Sequence, residues 1–358
     1  MASTGLDFSK LTPDNGALRE VSKLILASVF APDALGAFVN FIPNAHSGER
    51  VGVVGEFGLL GEAYAGCGGE YGNSLIPVTE KEWDIKRWQI KDKICIEDLT
   101  NTLAKYAFQS GINAPDLTAT DYLEDIIAPR VNLAIKKLVW RLAWFGDKAA
   151  AAKASGGVIK NAGDVKYFSV TDGLWKRAFE AVTAGTMPRV AIAANDKTTI
   201  DAQASAIAEA GIATGILDAV IAKASPALRG MSDGVIYITL ALKDAINADL
   251  KKNNKGSELQ WKSLFDGIQE TTYDGVKVVA LPIWDEIIKG FEGTATQYNK
   301  PYRAIYTVKD NLGVATESGS ELYDFDVWFD KKDDFNYIKA LDTLGTHFMQ
   351  DDLAVVAY

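Results

Sequence analysis

The sequence predicts an α+β protein with an elongated plan, and three patterns along the chain indicate it. Strand and helix patterns alternate through residues 148–300, which is typical of an α/β lobe. An apolar helical period ends at Phe145 and predicts one long helix beside that lobe. Residues 51–93 are rich in glycine and then in tryptophan and isoleucine, which predicts an extended two-stranded excursion. A preceding arm and a later return to β-structure complete the plan.

The composition is that of an ordinary globular chain. Of its 358 residues, 48% are hydrophobic and 23% are charged, which excludes a wholly disordered protein. The net charge is −10, whereas proteins that read nucleic-acid sequence carry a basic face. The balance therefore argues against a sequence-specific nucleic-acid binder, although it leaves room for local basic patches.

Two cysteines, Cys67 and Cys95, are too few for a disulfide framework; we expect both thiols to be reduced, with a single bridge between them as the alternative. No N-terminal stretch has the pattern of a secretory signal. No uncharged apolar run reaches the ~18–20 residues of a membrane span. The sequence thus predicts a chain that is cytoplasmic when it is synthesised and that has no membrane partner.

Residues 1–50 predict an arm rather than a compact unit. One helix is expected from Asn15 to Phe30, and prolines follow at positions 32 and 43. The inward face of that helix is predicted to carry the apolar residues Leu18, Val21, Ile25 and Val29.

The excursion over residues 51–93 contains the residues for which we expect contact with another subunit. Trp83 and Ile85 share one strand parity, whereas Trp88 and Ile90 share the other, which predicts a bulge or bend near residues 86–87. A two-stranded excursion is marginal alone, and aromatic side chains on protruding elements often anchor a partner. Trp83, Ile85, Trp88 and Ile90 are therefore the interface candidates, although burial in the chain's own core stays an alternative for the two tryptophans.

A short helix is expected over residues 97–110, and a long spine helix follows it. Thr118 or Thr120 is a candidate N-cap, and the apolar period runs to Phe145. Such a helix would be about 38 Å long. Pro129 lies within it and predicts a kink or a restart.

Residues 148–300 form the predicted α/β lobe, and the last stretch returns to β-structure. In the lobe we expect helices at 174–184, 200–224 and 242–253, with strands at 235–240 and 276–281. After residue 300 we expect strands at 303–308, 314–316, 323–329 and 353–358, and a short helix over 335–344.

A search for chemistry assigns no catalytic, cofactor-binding or metal-ligating residue. Gly230-Met-Ser232-Asp-Gly234 matches the nucleophile elbow of hydrolases, with His347 as the hypothetical base. That motif needs a strand before the serine and a helix after it, whereas the predicted order here is reversed. A soluble α/β hydrolase using Ser232 and His347 is kept as an alternative of another class.

Two weaker patterns have plain explanations. Gly66-Cys-Gly68 begins a dinucleotide-binding fingerprint, but Tyr71 stands where the third glycine belongs. An acidic cluster is expected to be a solvated strand end, since its spacing is not that of an EF-hand and two lysines interrupt it. Its members are Asp324, Asp326, Asp330, Asp333 and Asp334.

The plan and three local segments resemble the HK97-fold major capsid proteins of tailed bacteriophages. Residues 264–284 resemble that family's Tyr-x-Gly-hydrophobic strand ending in proline. Residues 301–316 resemble its late peripheral hairpin, and residues 235–245 resemble its axial strand entering a helix. The resemblance covers nearly the whole chain.

The resemblance implies an HK97-like fold with named parts. Residues 1–50 would be the N-terminal arm, 51–93 the extended E-loop, and 148–300 the axial domain. Residues 94–147 and 301–350 would form the peripheral domain with its spine helix, and 351–358 a C-terminal strand.

The implied function is structural and not enzymatic. Copies would assemble into hexamers and pentamers of an icosahedral shell that encloses double-stranded DNA without sequence specificity. Scaffold, portal and cement proteins are the other expected partners, and the expected location is the virion capsid after assembly in the host cytoplasm. An encapsulin-like nanocompartment with a protein cargo is the alternative that keeps the same fold.

Overall fold

The computed structural model describes residues 35–54, 78–95, 128–252, 259–265, 267–319, 324–330 and 335–358. The helices expected at 15–30 and 97–110 lie outside these ranges, as do Gly66-Cys-Gly68 and the start of the spine helix before residue 128. The described residues form two main sheets, a separate two-stranded hairpin and helices packed around them.

The larger sheet has seven strands in the order β5-β14-β10-β6-β9-β8-β7. Strands β6 and β9 are parallel, whereas β10 runs antiparallel to both β6 and β14. The bounds are β5 Arg189–Val190, β6 Gly234–Thr239, β7 Lys262–Ser263, β8 Gln269–Tyr273, β9 Val276–Leu281, β10 Ala304–Val308 and β14 Ala354–Ala357.

The smaller sheet is built around one long strand, β13, Phe335–Phe348. One end of β13 pairs with β11, and its other end lies between β12 and β4. The remaining bounds are β1 Asn40–Ile42, β4 Lys86–Cys95, β11 Leu312–Ala315 and β12 Asp324–Asp330. The hairpin consists of β2 Arg50–Val54 and β3 Val78–Glu82.

Among the described residues the spine helix α1 spans Ala128–Phe145 and includes Pro129. The other helices are α2 Leu174–Ala184, α3 Ile200–Ile207, α4 Ile212–Lys223, α5 Pro226–Gly230, α6 Leu240–Lys252 and α7 Pro282–Phe291.

The larger sheet is buried on both faces, because alternate residues of its strands point in opposite directions. Tyr237, Val279 and Ile305 lie in the core shared with α1, α2 and the smaller sheet. Ile236 and Val278 lie in a second core with α4 and α6. The first core is centred on Trp144, Trp175 and Trp284, with ring centroids 4.7 Å apart for Trp144–Trp284 and 5.1 Å apart for Trp175–Trp284.

Two expectations about single elements were wrong. Residues 335–344 belong to strand β13 and not to a helix. Every even-numbered residue from Ile338 to Phe348 is buried, so the period is two, and the apolar residues at three-residue steps were coincidental.

The predicted helix 200–224 is also divided, into α3 and α4. Gly211 has a φ of +83° in the left-handed region and caps the start of α4. No single helix among the described residues is long and apolar enough to span a membrane. The bent pair α3–α4, with 71° between its helices, passes that test by length and composition alone.

Other element predictions are confirmed within one or two residues. These are helix 174–184, the strands that became β6, β9, β10, β12 and β14, and the helix that became α6. Strands β10 (304–308) and β14 (354–357) belong to the seven-stranded sheet of the 148–300 lobe, although both follow residue 300. The strands between them in sequence, β11, β12 and β13, belong to the smaller sheet.

Candidate assembly surface

Three of the four interface candidates lie in the chain's own core. Trp83, Ile85 and Trp88 are 3%, 5% and 3% exposed, and Ile90 is half-buried against the main core. The pairing of β4 with β13 over ten residues places Trp88 against the interior. Trp83 and Ile85 pack with Ala45 and Ala315 in a small separate cluster. The expectation that these side chains need a neighbouring subunit for burial is therefore corrected.

The break predicted near residues 86–87 lies instead at residues 83–85, because Lys86 and Arg87 pair regularly with β13 at the start of β4. Residues 83–85 lie between β3, which belongs to the hairpin, and β4, which belongs to the smaller sheet. The backbone N–H of Trp83 donates to Glu49 O at 2.9 Å, and Trp83 O accepts from the N–H of Gly48 at 2.8 Å. The base of the hairpin is thus joined to the body through one buried tryptophan.

The hairpin itself presents a polar surface. Arg50 and Glu80 form an exposed ion pair at 3.0 Å across its two strands, and Glu82 is also exposed. Val54 pairs directly with Val78, so residues 55–77 connect the hairpin's two strands at its end. Those connecting residues lie outside the described structure.

Lys81 fixes one side of the hairpin base. Its ammonium donates to Phe348 O at 2.8 Å and to the Asp351 carboxylate at 2.6 Å. Asp351 also accepts from the Thr186 hydroxyl at 2.8 Å. Because Lys81 is half-buried, this pair is less screened by solvent than a surface salt bridge. It links the hairpin to the end of β13 and to the turn that follows helix α2.

Asp84 fixes the other side. It accepts from Lys148 and forms an ion pair with Lys86 at 2.9 Å, while Lys148 reaches Asp172 at 3.0 Å. Burial alone would raise the pKa of Asp84, but the hydrogen bonds from Lys148 and Lys86 outweigh it and hold that pKa below its ordinary value. The same contacts with Asp84 and Asp172 raise the pKa of Lys148. Both shifts favour the charged forms of Asp84 and Lys148.

Two glycines leave the space that the hairpin base occupies. A Cβ on Gly345 would stand 2.9 Å from Cγ1 of Ile85 and 3.1 Å from Asp84 O. A Cβ on Gly313 would stand 2.8 Å from the ring of Trp83. All three distances are shorter than ordinary van der Waals contact, so Trp83 and Ile85 approach β11 and β13 closely because these positions lack side chains.

Lys81, Lys148 and the two glycines were missed by reasoning from sequence. Lys81 and Asp351 are 270 positions apart, and Lys148 and Asp84 are 64 apart. Neither pair has a local spacing that would mark it. The only sequence signal in this region was the parity change between Ile85 and Trp88. It indicated a break in the strand near the base of the hairpin, residues 83–85, but none of the contacts made there.

The structure separates the two residues of the hydrolase alternative. Ser232 is exposed in the turn between α5 and β6, so a helix precedes it and a strand follows. His347 lies on β13 in the other sheet, with its ring edge-on to Trp83 at 6.2 Å and Nδ1 2.9 Å from Phe348 O. Burial, helped by Lys81 and Arg177, lowers the pKa of His347 to about 4.

The remaining candidate groups are only partly within the described residues. Asp324, Asp326 and Asp330 lie on β12, whereas Asp333 and Asp334 fall outside the described residues. Cys95 ends β4, and Cys67 is also outside the described part. Within the described ranges, no three His, Cys, Asp or Glu side chains are placed to hold a metal ion.

No protein-family model and no curated protein matches this sequence. Solved structures do match it. A chain of the satellite phage P4 procapsid, in a structure that includes size determination (Sid) protein, is 12% identical with a TM-score of 0.52, covering 94% of this chain and 98% of that one.

Two further structures match over similar lengths. A chain from the capsid of a native GTA particle is 11% identical, with a TM-score of 0.52 and coverage of 91% and 90% of the two chains. A chain from Gordonia phage Cozz is 12% identical, with a TM-score of 0.52 and coverage of 91% and 85%. At such low identity the likeness shows a shared fold over nearly the full length of each chain.

Proposed function

We propose that this chain, which has the HK97-like fold of phage capsid chains, is a structural protein whose copies assemble into the hexamers and pentamers of a closed icosahedral shell. The observation that carries the proposal is the match over nearly the full length of both chains to proteins from a procapsid and a capsid. The match leaves no large unmatched part of this chain in which a separate catalytic domain would lie. The virion capsid is accordingly the proposed location, with assembly in the host cytoplasm.

The hairpin supports this proposal because its two strands pair with each other and with neither main sheet among the described residues. Its strands are polar on the surface, and its base is fixed by Lys81, Asp84 and the buried Trp83. The 23 residues 55–77 between its strands contain Glu56, Glu62 and Glu70 and no lysine or arginine. We propose that this part of the predicted E-loop lies over a neighbouring subunit.

The proposed cargo is double-stranded DNA, held without sequence specificity. Contacts to phosphate are electrostatic and do not depend on base sequence. The net charge of −10 restricts such contacts to local basic patches, for which Lys136, Lys137 and Arg141 on the spine helix are candidates. Scaffold, portal and cement proteins remain proposed partners on the same grounds of fold.

The first experiment measures the mass of the native protein by light scattering and particle imaging. Sixty copies of a 38.7 kDa chain amount to about 2.3 MDa, and closed symmetric assembly is the expectation for a shell. Particles of that mass or larger, or discrete hexamers and pentamers, support the proposal. A chain that stays monomeric or dimeric at high concentration, with scaffold supplied, would overturn it.

A second experiment tests the hairpin. Removing residues 78–90 would delete the buried Trp83, Ile85 and Trp88, so loss of assembly could reflect misfolding alone. Replacing residues 55–77 by Asn-Gly is sharper, because Val54 and Val78 are directly paired and a two-residue turn can join them. We expect a folded protein that unfolds cooperatively in urea and forms no shells.

A matched control shortens residues 253–258, which join α6 to β7 and also lie outside the described structure. It should assemble as the wild type does. Normal shells from the hairpin variant would contradict the role given to residues 55–77 while leaving the shell function standing.

The contents of the particles separate DNA from the alternative cargo. Nuclease-protected double-stranded DNA in the particles supports the proposal, whereas a packaged protein would favour the encapsulin-like alternative. Ser232→Ala should leave assembly unchanged, because Ser232 is an exposed turn residue.

A further inference from the structure

An apolar groove runs between the spine helix α1 and helix α7. It has a volume of about 260 Å³, and its walls come from both helices and from the turn before β8. Lys137 and Glu286 form an ion pair across it at 2.5 Å. The apolar walls are Leu133, Trp140, Ile268, Pro282 and Ile283.

Leu133 is 56% exposed at the rim of this groove. It lies on the same face of α1 as Lys137 and Trp140, since side chains four and seven positions apart share a helix face. Singly exposed leucines are common on protein surfaces. A leucine that continues an apolar groove is different, because the groove and the side chain together form a contiguous surface that a partner can cover.

The chain enters the described structure beside this groove. Leu35 is fully buried in the main core, and the ring of Phe38 packs against Trp140 at 6.0 Å and Phe265 at 5.8 Å. The carbonyl of Phe38 also accepts from the Tyr237 hydroxyl at 3.0 Å. Trp140 therefore contacts the entering chain with one part of its ring system and lines the groove as well.

The preceding segment has the right pattern and a short tether. Residues 15–30 lie outside the described structure, and their sequence predicts an amphipathic helix with Leu18, Val21, Ile25 and Val29 on one face. Five residues of extended chain span at most about 17 Å, so Phe30 must lie within that distance of Leu35. Among the apolar surfaces of the described residues, the groove at Leu133 is next to that anchor.

We propose that residues 15–30 pack in the groove between α1 and α7 of the same chain, with Leu133 as the contact at its rim. Such packing would bury the apolar face of an otherwise marginal helix, which gains most of its stability from tertiary contacts. The inference does not depend on the shell function, because it concerns a contact within one chain.

Hydrogen exchange on the full-length chain tests the proposal. Leu133→Asp places a charge in the groove, while the exposure of Leu133 keeps the core intact. The matched control is Ile212→Asp, at a residue that is 42% exposed at the start of α4, where an acidic side chain is favourable. Ile25→Asp makes the corresponding change in the segment itself.

We expect amides of residues 15–30 to be protected at least tenfold in the wild type. Leu133→Asp and Ile25→Asp should each remove most of that protection, and Ile212→Asp should leave it unchanged. Unprotected amides in the wild type, or protection that survives Leu133→Asp, would overturn the proposal.

Crosslinking distinguishes one chain from two. Ile25→Cys and Leu133→Cys are combined with Cys67→Ser and Cys95→Ser, and a short bismaleimide is added to a mixture of isotopically light and heavy chains. Crosslinks within light or within heavy chains alone support the proposal. Crosslinks that join light to heavy chains would show that a second copy fills the groove and would overturn it.

Discussion

Polar side chains buried on β13 illustrate how this chain satisfies polar groups inside its sheets. Asp342 is 2% exposed and accepts hydrogen bonds from Ser318 at 2.7 Å, Thr316 at 3.1 Å and the N–H of Thr343 at 2.7 Å. Burial still raises its pKa above the ordinary value. Fully partnered polar groups of this kind are tolerated in a core, whereas a group that loses its partners costs its full desolvation.

His347 gives a prediction at the residue scale. Its folded pKa of about 4 lies below the ordinary value of 6.5, so the unfolded chain takes up a proton first as the pH falls. The stability that neutral His347 contributes is therefore complete above about pH 6.5 and is lost between pH 6.5 and pH 4. Between pH 7 and pH 5 the loss is expected to be about 2 kcal/mol.

Urea unfolding at pH 7 and pH 5 measures this loss. His347→Gln should remove most of the difference between the two pH values, since glutamine does not titrate. His46→Gln changes the other histidine, which is exposed, and should leave the difference as in the wild type. An unchanged pH dependence in His347→Gln would contradict the burial argument.

At the scale of elements, the position of the hairpin depends on the buried residues at its base, Trp83 and Ile85, more than on its two strands. Two isolated strands are marginal in water, yet β3 continues directly into Trp83 and Ile85, which are buried. Lys81 and Asp84 then fix the two sides of that base through ion pairs to other parts of the chain. The direction in which the hairpin leaves the body is thus set by contacts at its base.

Two glycine substitutions test the packing at the base of the hairpin, because they should change the free energy of unfolding in opposite directions. Gly345→Ala would force a Cβ against Ile85 and the carbonyl of Asp84, so we expect a loss of about 1–3 kcal/mol in unfolding free energy. Gly290→Ala, on the exposed side of α7 with nothing within 4 Å of its Cβ, should gain about 0.5–1 kcal/mol.

Chemical unfolding gives both values. Hydrogen exchange shows whether the Gly345 variant loosens β2 and β3 first. A Gly345→Ala protein as stable as the wild type, with unchanged hydrogen exchange in the hairpin, would contradict the close packing of Ile85 and Asp84 against residue 345.

At the scale of the whole molecule, the seven-stranded sheet holds the chain together. Its strands come from widely separated positions: β10 pairs with β6, the chain then adds β11, β12 and β13 to the smaller sheet, and β14 returns to pair with β10. Strand β14 pairs with β10 on one side and with β5 on the other. All four of its residues are fully buried, so the last residues of the sequence are core.

Truncation after Leu353 is therefore expected to abolish folding. The deletion exposes β10 and β5, and it leaves cavities on both faces of the sheet, a loss of several kcal/mol that is comparable with the whole stability of a domain. Near-UV circular dichroism and soluble yield measure the outcome. A chain lacking residues 1–14 serves as the control and should fold; a folded protein without β14 would contradict the central place given to this strand.

The sequence by itself determined the elements whose evidence is local. Helix 174–184, strand 276–281 and the end of the spine helix at Phe145 all follow from periodicity and from proline and glycine positions. The resemblance in the order of these elements was enough to predict the HK97-like fold, which is confirmed. Local patterns failed where two periods fit the same residues, as in 335–344, and where a single glycine divided the helix predicted over 200–224.

Only the tertiary structure decided where the tryptophans of the excursion lie and what fixes the hairpin. Apolar residues on a strand indicate that one face is covered, but not whether the cover is the same chain or another. The pairing of β4 with β13 shows that Trp88 is covered by its own chain. The contact between Lys81 and Asp351 joins residues that are 270 positions apart in the sequence. Such contacts form only when long loops close and distant elements pack together. A local pattern of residues therefore cannot predict them.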